Sequence, residues 1–231
     1  MNNVTPFQPY LEQTAKKRAV HIVPRNENQE AYLELLMDED LSIVIATGPA
    51  GTGKTLLAMQ AAIKALKEKR IDKIVVTRPA VGVEDEKHGF LPGSLTQKME
   101  PWTKPLFDVL HEYYSTRETA HMVQDEIIEI CPLAFMRGRN FHNCYVIFDE
   151  AQNATVNQIK MAMTRVGQNT KMVITGDLQQ QDKQFKSDNG LGDFLERISK
   201  SDPMYIDSVA FDRRDVQRHP VVAEVLGLYG E

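Results

Sequence analysis

The chain has 231 residues and a formal charge of 27 − 32 = −5. With 42% hydrophobic, 26% charged and 7% aromatic residues, it is not a mainly disordered chain, a collagen-like fibre or a long coiled coil. The length suits one large domain with a core of its own. The acidic balance excludes a protein coated in positive charge, while a local basic channel stays compatible with it.

Two cysteines, Cys131 and Cys144, are too few for a disulfide scaffold or a thiolate metal cluster. The first twenty residues lack an apolar core before a small-residue cleavage site, so no signal peptide is expected. No apolar run approaches the length of a membrane span. The expectation is a soluble cytoplasmic protein with no membrane partner.

In chain order, residues 1–24 read as an N-terminal extension with Pro6, Pro9 and a basic patch at Lys16, Lys17 and Arg18. Residues 28–37 place apolar side chains at helical spacing. A buried strand over 41–48 ends at glycine, and residues 55–70 are rich in strong helix formers. A second strand covers 73–79. Residues 81–102 read as mostly loop, with a helix starting at Pro105. Residues 122–133 read equally as helix or strand. A strand over 143–148 runs into carboxylates. A helix follows over 155–167, with Thr155 as cap and Gly167 near its stop. A strand over 171–177, a helix over 191–199, a strand over 204–211 and a closing helix over 219–230 complete the pattern. Strands alternating with helices predict an α/β fold built on a parallel sheet.

The strongest signal is GPAGTGKT: Gly48, Pro49, Ala50, Gly51, Thr52, Gly53, Lys54 and Thr55. It fills GxxxxGK[ST] between an apolar strand and a helix, the context a phosphate-binding loop needs. The glycines let the backbone wrap and aim its amides at phosphate oxygens. The helix start adds its positive dipole end. Lys54 can reach β and γ phosphates, and the Thr55 hydroxyl can ligate Mg2+. Downstream, Asp149 and Glu150 end an apolar strand. One can hold Mg2+ through water and the other can activate an attacking water, Glu150 being the favoured base. Gln152, Asp177 and Gln180 also sit at strand ends, where ligands bind in such sheets, though each reads equally as a solvated loop residue. Arg78, Arg137, Arg139, Arg213 and Arg214 are candidates for nucleic-acid or intersubunit contacts. Arg218, just before His219-Pro220, is a candidate γ-phosphate finger.

With these residues in hand, the chain closely resembles the PhoH-like ATPases, the phosphate-starvation-inducible family related to superfamily 1 helicases. The resemblance spans about residues 25–228. It rests on GPAGTGKT, TRPAV at 77–81, GFLPG at 89–93, LAFMRGRNF at 133–141, VIFDEAQN at 146–153, VITGD at 173–177 and RHP at 218–220. It implies a single RecA-like P-loop NTPase domain over 25–231, a mostly parallel sheet with helices on both faces, and ATP with Mg2+ as cofactors. It further implies that Gln29 reads adenine. Gln152 and Asp177, with Gln180 alongside, would couple the γ-phosphate state to the nucleic-acid side, and Arg218 would sense γ phosphate. One departure is visible. After the strand-end GD, the family has a leucine-proline pair where this chain has Lys183-Gln184.

Superfamily 1 helicases close ATP between two RecA-like domains, and this length has room for one. A site open to water stabilises charge poorly. A homo-oligomer, a hexameric ring by the resemblance, closes every site at once. The resemblance therefore predicts ATP hydrolysis coupled to RNA or single-stranded DNA. The alternative is an ATP-driven protein remodeller or regulatory switch. The DEAQ layout disfavours a metabolic kinase.

Overall fold

The computed structural model describes residues 19–79, 95–180 and 189–217 together with Val221 and Leu228; over 95–102 it describes the backbone only. Six strands form one sheet: β1 (Ile43–Thr47), β2 (Lys73–Thr77), β3 (Ile128–Ile130), β4 (Cys144–Phe148), β5 (Lys171–Gly176) and β6 (Ile206–Ala210). Their order is β3-β2-β4-β5-β1-β6, and every pairing is parallel. Such a sheet must be covered on both faces, and β1 and β4 are buried along their whole lengths.

Alternation along the strands divides the core in two. Val44, Ala46, Ile74, Val76, Tyr145, Ile147 and Val173 face α1 (Glu27–Met37), α2 (Lys54–Lys67) and α3 (Leu95–His111). Ile43, Ile45, Val75, Val146, Phe148, Met172 and Ile174 face α5 (Val156–Met163) and α6 (Gly190–Ser199). This is the expected parallel α/β sheet with helices on both faces.

Local chemistry sets the boundaries. Thr155 caps α5 in a reciprocal box with Gln158, as its sequence predicts, but the helix stops at Met163, short of Gly167. The ambiguous stretch 122–133 is both elements: α4 (Thr116–Gln124) ends, Glu126 turns the chain at φ 54°, and β3 follows. The expected helix start at Pro105 is overturned. α3 begins at Leu95 and carries Pro101 and Pro105 inside it, each removing one i→i−4 hydrogen bond. The closing helix over 219–230 lies outside the described residues apart from Val221 and Leu228, as do most of the N-terminal extension and the Lys183-Gln184 departure.

Topology positions the site. β5 lies between β1 and β4, so the phosphate-loop strand and the acidic strand are not neighbours. Their C-terminal ends open onto one side, with the start of α2 between them. Ile147 sits at 0% exposure in the middle of this arrangement. Ile147→Ala is expected to cost about 2–5 kcal/mol of unfolding free energy, read from the urea midpoint at unchanged slope.

Candidate active site

Three glycines of the phosphate loop take the left-handed backbone that a side chain resists: Gly48 (φ 133°), Gly51 (φ 87°) and Gly53 (φ 88°). Gly48 has a second reason, since a Cβ there would stand 2.3 Å from the Phe211 carbonyl oxygen. The loop is clamped from outside. The Gln217 amide donates to the Gly51 carbonyl at 2.9 Å, and the Phe211 amide donates to Thr47 at 2.7 Å. Gln29 is buried against the loop. Its Nε2 donates to the Thr52 carbonyl at 2.9 Å, and its Oε1 accepts from the Arg25 amide at 2.9 Å. One donor and one acceptor position of its amide are thereby used.

Lys54 is 9% exposed. Its ammonium donates to the carbonyls of Gly48 (2.7 Å) and Pro49 (2.8 Å) and to Thr52 Oγ1 (3.3 Å). Burial holds its pKa below the ordinary lysine range, and the charges of Asp177, Asp149 and Glu150 pull it partly back. A phosphate oxygen arriving in the cleft can replace those carbonyls as acceptor.

Across the cleft, Asp149 is the meeting point. Its Oδ1 accepts from Thr55 Oγ1 at 2.9 Å and from Thr175 Oγ1 at 2.5 Å. Glu150 adopts a left-handed backbone (φ 53°), uncommon for a residue with a side chain. Its carboxylate accepts from Gln152 Nε2, whose amide oxygen in turn accepts from the Asp177 backbone amide at 3.1 Å. Gln152 is buried, and a Cβ at Gly176 beside it would stand 2.6 Å from Leu191 Cδ2 and 2.9 Å from Gln152 Oε1, so those side chains would have to shift. A cleft of about 270 Å³ gathers Ala50, Gly51, Gly53, Lys54, Thr55, Asp149, Glu150, Asp177 and Gln180.

The arginines separate. Arg139 forms a two-point pair with Glu129 and stacks its guanidinium 4.7 Å from the Phe141 ring centre, so its charge serves the fold. Arg214 pairs with Asp212 at 2.6 Å. Arg78 is half-buried just past β2, and Arg137 and Arg213 are exposed. Arg218 lies outside the described residues. Sequence reasoning missed Thr175, which a lone polar residue in the apolar VITG run could have signalled. It also missed the clamp by Phe211 and Gln217, which no local pattern announces. Asp215 accepts from Asn28 Nδ2 at 2.8 Å, joining that segment to α1.

Among the described residues no group of three or more His, Cys, Asp or Glu is placed to hold a metal. A hydroxyl and a carboxylate 2.9 Å apart beside a phosphate loop instead fit Mg2+, which takes few protein ligands and completes its shell with water and phosphate. The donor set fits ATP with Mg2+.

The model of the PhoH-like protein family matches residues 21–230. The chain belongs to the PhoH-like family. It is 41% identical over 223 residues to the PhoH-like protein of Bacillus subtilis (strain 168), covering 96% of this chain and 68% of that one. The PhoH-like protein of Mycobacterium leprae (strain TN) is 36% identical over 229 residues, with 99% and 64% covered. The Protein PhoH of Escherichia coli (strain K12) is 40% identical over 210 residues, with 90% and 58% covered. The chain thus spans about two thirds of the length of the curated relatives it matches. Among solved structures, the Sulfolobus solfataricus SWI2/SNF2 ATPase core in complex with dsDNA aligns at TM-score 0.47 and 16% identity, covering 87% of this chain and 48% of that one. Family and fold make this PhoH-like domain an ATP-hydrolysing P-loop NTPase. Among the described residues, no helix is long and apolar enough to cross a membrane.

Two outcomes follow for the PhoH-like site. Glu150→Gln is expected to lower kcat by about 10²–10⁴-fold while ATP binding persists, read by turnover and by equilibrium titration. Arg139→Ala is expected to act on stability. Arg139 holds the Glu129 carboxyl below the ordinary glutamate range, so the pair stabilises above the unfolded pKa and is lost as pH falls through the folded one. Thermal melts should show the variant less stable at pH 7, with the gap closing below about pH 4.

Proposed function

We propose that residues 25–231 form a Mg2+-dependent ATPase domain, preceded by an extension over 1–24. It works in the cytoplasm, and its hydrolysis is coupled to binding or helicase-like remodelling of RNA or single-stranded DNA. The observation that carries this reading is the line from Glu150 through Gln152 to the Asp177 amide, which joins two strand ends by hydrogen bonds through one buried side chain. Such a line can transmit the state of the γ phosphate across the top of the sheet.

When bound, ATP supplies the phosphoanhydride and Mg2+ neutralises charge building on its oxygens. Lys54 would hold β and γ oxygens, with the loop amides of 48–55 behind it. Thr55 and Asp149 would hold the metal. Glu150 orients the attacking water and takes its proton, and Gln152 fixes the Glu150 carboxylate. Asp177 and Gln180 line the same cleft. Gln29 retains a donor hydrogen and an acceptor lone pair for adenine. Arg218 serves as sensor of the γ phosphate.

The cleft mouth supports an oligomer. Leu56 and Leu178 are 41% and 39% exposed, and they flank Thr55 and Asp177. Bare apolar side chains beside a charged cleft suit cover by a neighbouring subunit. A head-to-tail homohexamer covers every cleft alike. Arg137 and Arg213, exposed and without an ion pair among the described residues, are the candidates to reach a neighbour, and Arg78 to meet a nucleic-acid backbone.

The test is ATP turnover with and without RNA and ssDNA, on fractions of known oligomeric state. The expected result is about tenfold or greater stimulation, with nucleic-acid affinity falling as salt rises. Unchanged turnover with salt-independent affinity would favour the protein remodeller, and any product besides ADP and phosphate would favour a kinase. Mixing Arg213→Ala with Lys54→Ala subunits should restore turnover if Arg213 acts in trans.

A further inference from the structure

The C-terminal end of the sheet holds the nucleotide cleft. The N-terminal end holds a second cavity, of about 450 Å³, a volume suited to a small molecule. Leu36, Leu41, Ala61, Ala65 and Ile71 give it apolar walls. Its charged and phenolic lining is Lys171, Arg70, Asp38, Glu39 and Tyr145, of which Tyr145 and Lys171 come from the sheet. They are register partners on β4 and β5, so their side chains leave the sheet on the same face.

Two groups in this cavity have room for an anionic acceptor: an unpartnered hydroxyl and an ammonium paired with carbonyls but with no carboxylate. The Tyr145 hydroxyl is buried without a hydrogen-bond partner among the described residues. A buried hydroxyl in that state is costly and accounts for itself best when something else satisfies it. The Lys171 ammonium donates to the carbonyls of Leu35 (3.2 Å) and Asp38 at the end of α1, with no carboxylate in ion-pair range among the described residues. The nearby charges are committed elsewhere. Asp38 accepts from the Asp40 amide at 2.8 Å, and Arg70 pairs with Glu68 at 2.9 Å and Glu39 at 3.5 Å. Burial lowers the Lys171 pKa to about 8, against the pull of Asp38 and Glu39 and with the push of Arg70.

A single anionic acceptor complements both groups. We propose that this cavity binds a small organic carboxylate, its charged end between Lys171 and the Tyr145 hydroxyl and its apolar end on Leu36, Leu41 and Ile71. The site stands apart from the reading of nucleic-acid coupling. It is still joined to the ATP cleft, because its walls are the far ends of the elements that carry the cleft. α1 begins beside Gln29, α2 begins with Lys54, β4 ends before Asp149, and β5 ends before Asp177. A ligand that changes the packing of these ends shifts ATP affinity, and ATP shifts the ligand's affinity by the same factor.

The test titrates straight-chain carboxylates from butanoate to octanoate, and benzoate, into the full chain at pH 7, beside the matching primary amides. At least one acid should bind saturably, with its amide about tenfold weaker or more. Tyr145→Phe, which removes one oxygen and keeps the ring, should weaken that acid about tenfold at an unchanged or higher melting temperature. Lys171→Met should abolish the preference for acid over amide. Binding should fall as pH rises past 8, where Lys171 loses its proton. Absence of saturable binding by every acid, equal binding of acid and amide, or wild-type affinity in Tyr145→Phe would each overturn the proposal. Should Lys171→Met fail to fold, Tyr145→Phe decides alone.

Discussion

One carboxylate holds three elements of the cleft in place. Asp149 ends β4, and its Oδ1 accepts from Thr55 at the start of α2 and from Thr175 near the end of β5. This is only open to it because β5 runs between β1 and β4. With β1 beside β4, the carboxylate would lack the bridging threonine on an intervening strand. The strand order therefore decides the electrostatics of the site. It gives a fixed acidic point facing a buried ammonium, with a polar strand end bridging the gap.

The two ends of the sheet use burial differently. At the C-terminal end the polar groups of the cleft are answered, Lys54 by carbonyls, Gln152 by Glu150 and the Asp177 amide, Gln29 by Thr52 and Arg25, while the buried Thr77 hydroxyl at the end of β2 has no partner among the described residues. Left-handed backbone occurs at both ends: in three glycines and Glu150 at the C-terminal end, and in Lys69, Glu126, Asn143 and Asn169 in the turns that lead into β2, β3, β4 and β5. At the N-terminal end, Tyr145 and Lys171 stay incompletely answered around a larger space. Rigid strands of five and six residues, packed on both faces, separate the two.

Much of the catalytic constellation is legible in the sequence because its demands are local. A phosphate loop needs glycines at fixed spacing, a lysine and a hydroxyl at a helix start, and an apolar strand before it. None of these depends on distant residues. Strand-end acids are legible for the same reason. The arginines are not, because a guanidinium's role depends on which carboxylate lies near it in space. Arg139 reads as a free cation until Glu129 and Phe141 are seen around it. The extent of α3 is similarly hidden. Propensity places a helix start at Pro105, yet the helix runs through two prolines.

By itself the sequence determined the class of chemistry and the order of elements: a phosphate loop, a strand-end acid pair, a parallel α/β pattern and the family. Those are consequences of backbone conformation and periodicity, which act over a few residues. Only the tertiary structure decided that Thr175 shares Asp149 with Thr55, that Phe211 and Gln217 brace the loop while Asp215 ties their segment to α1, and that Tyr145 and Lys171 line one cavity. These are contacts across tens to hundreds of residues, and they exist because parallel strands bring separate segments into register.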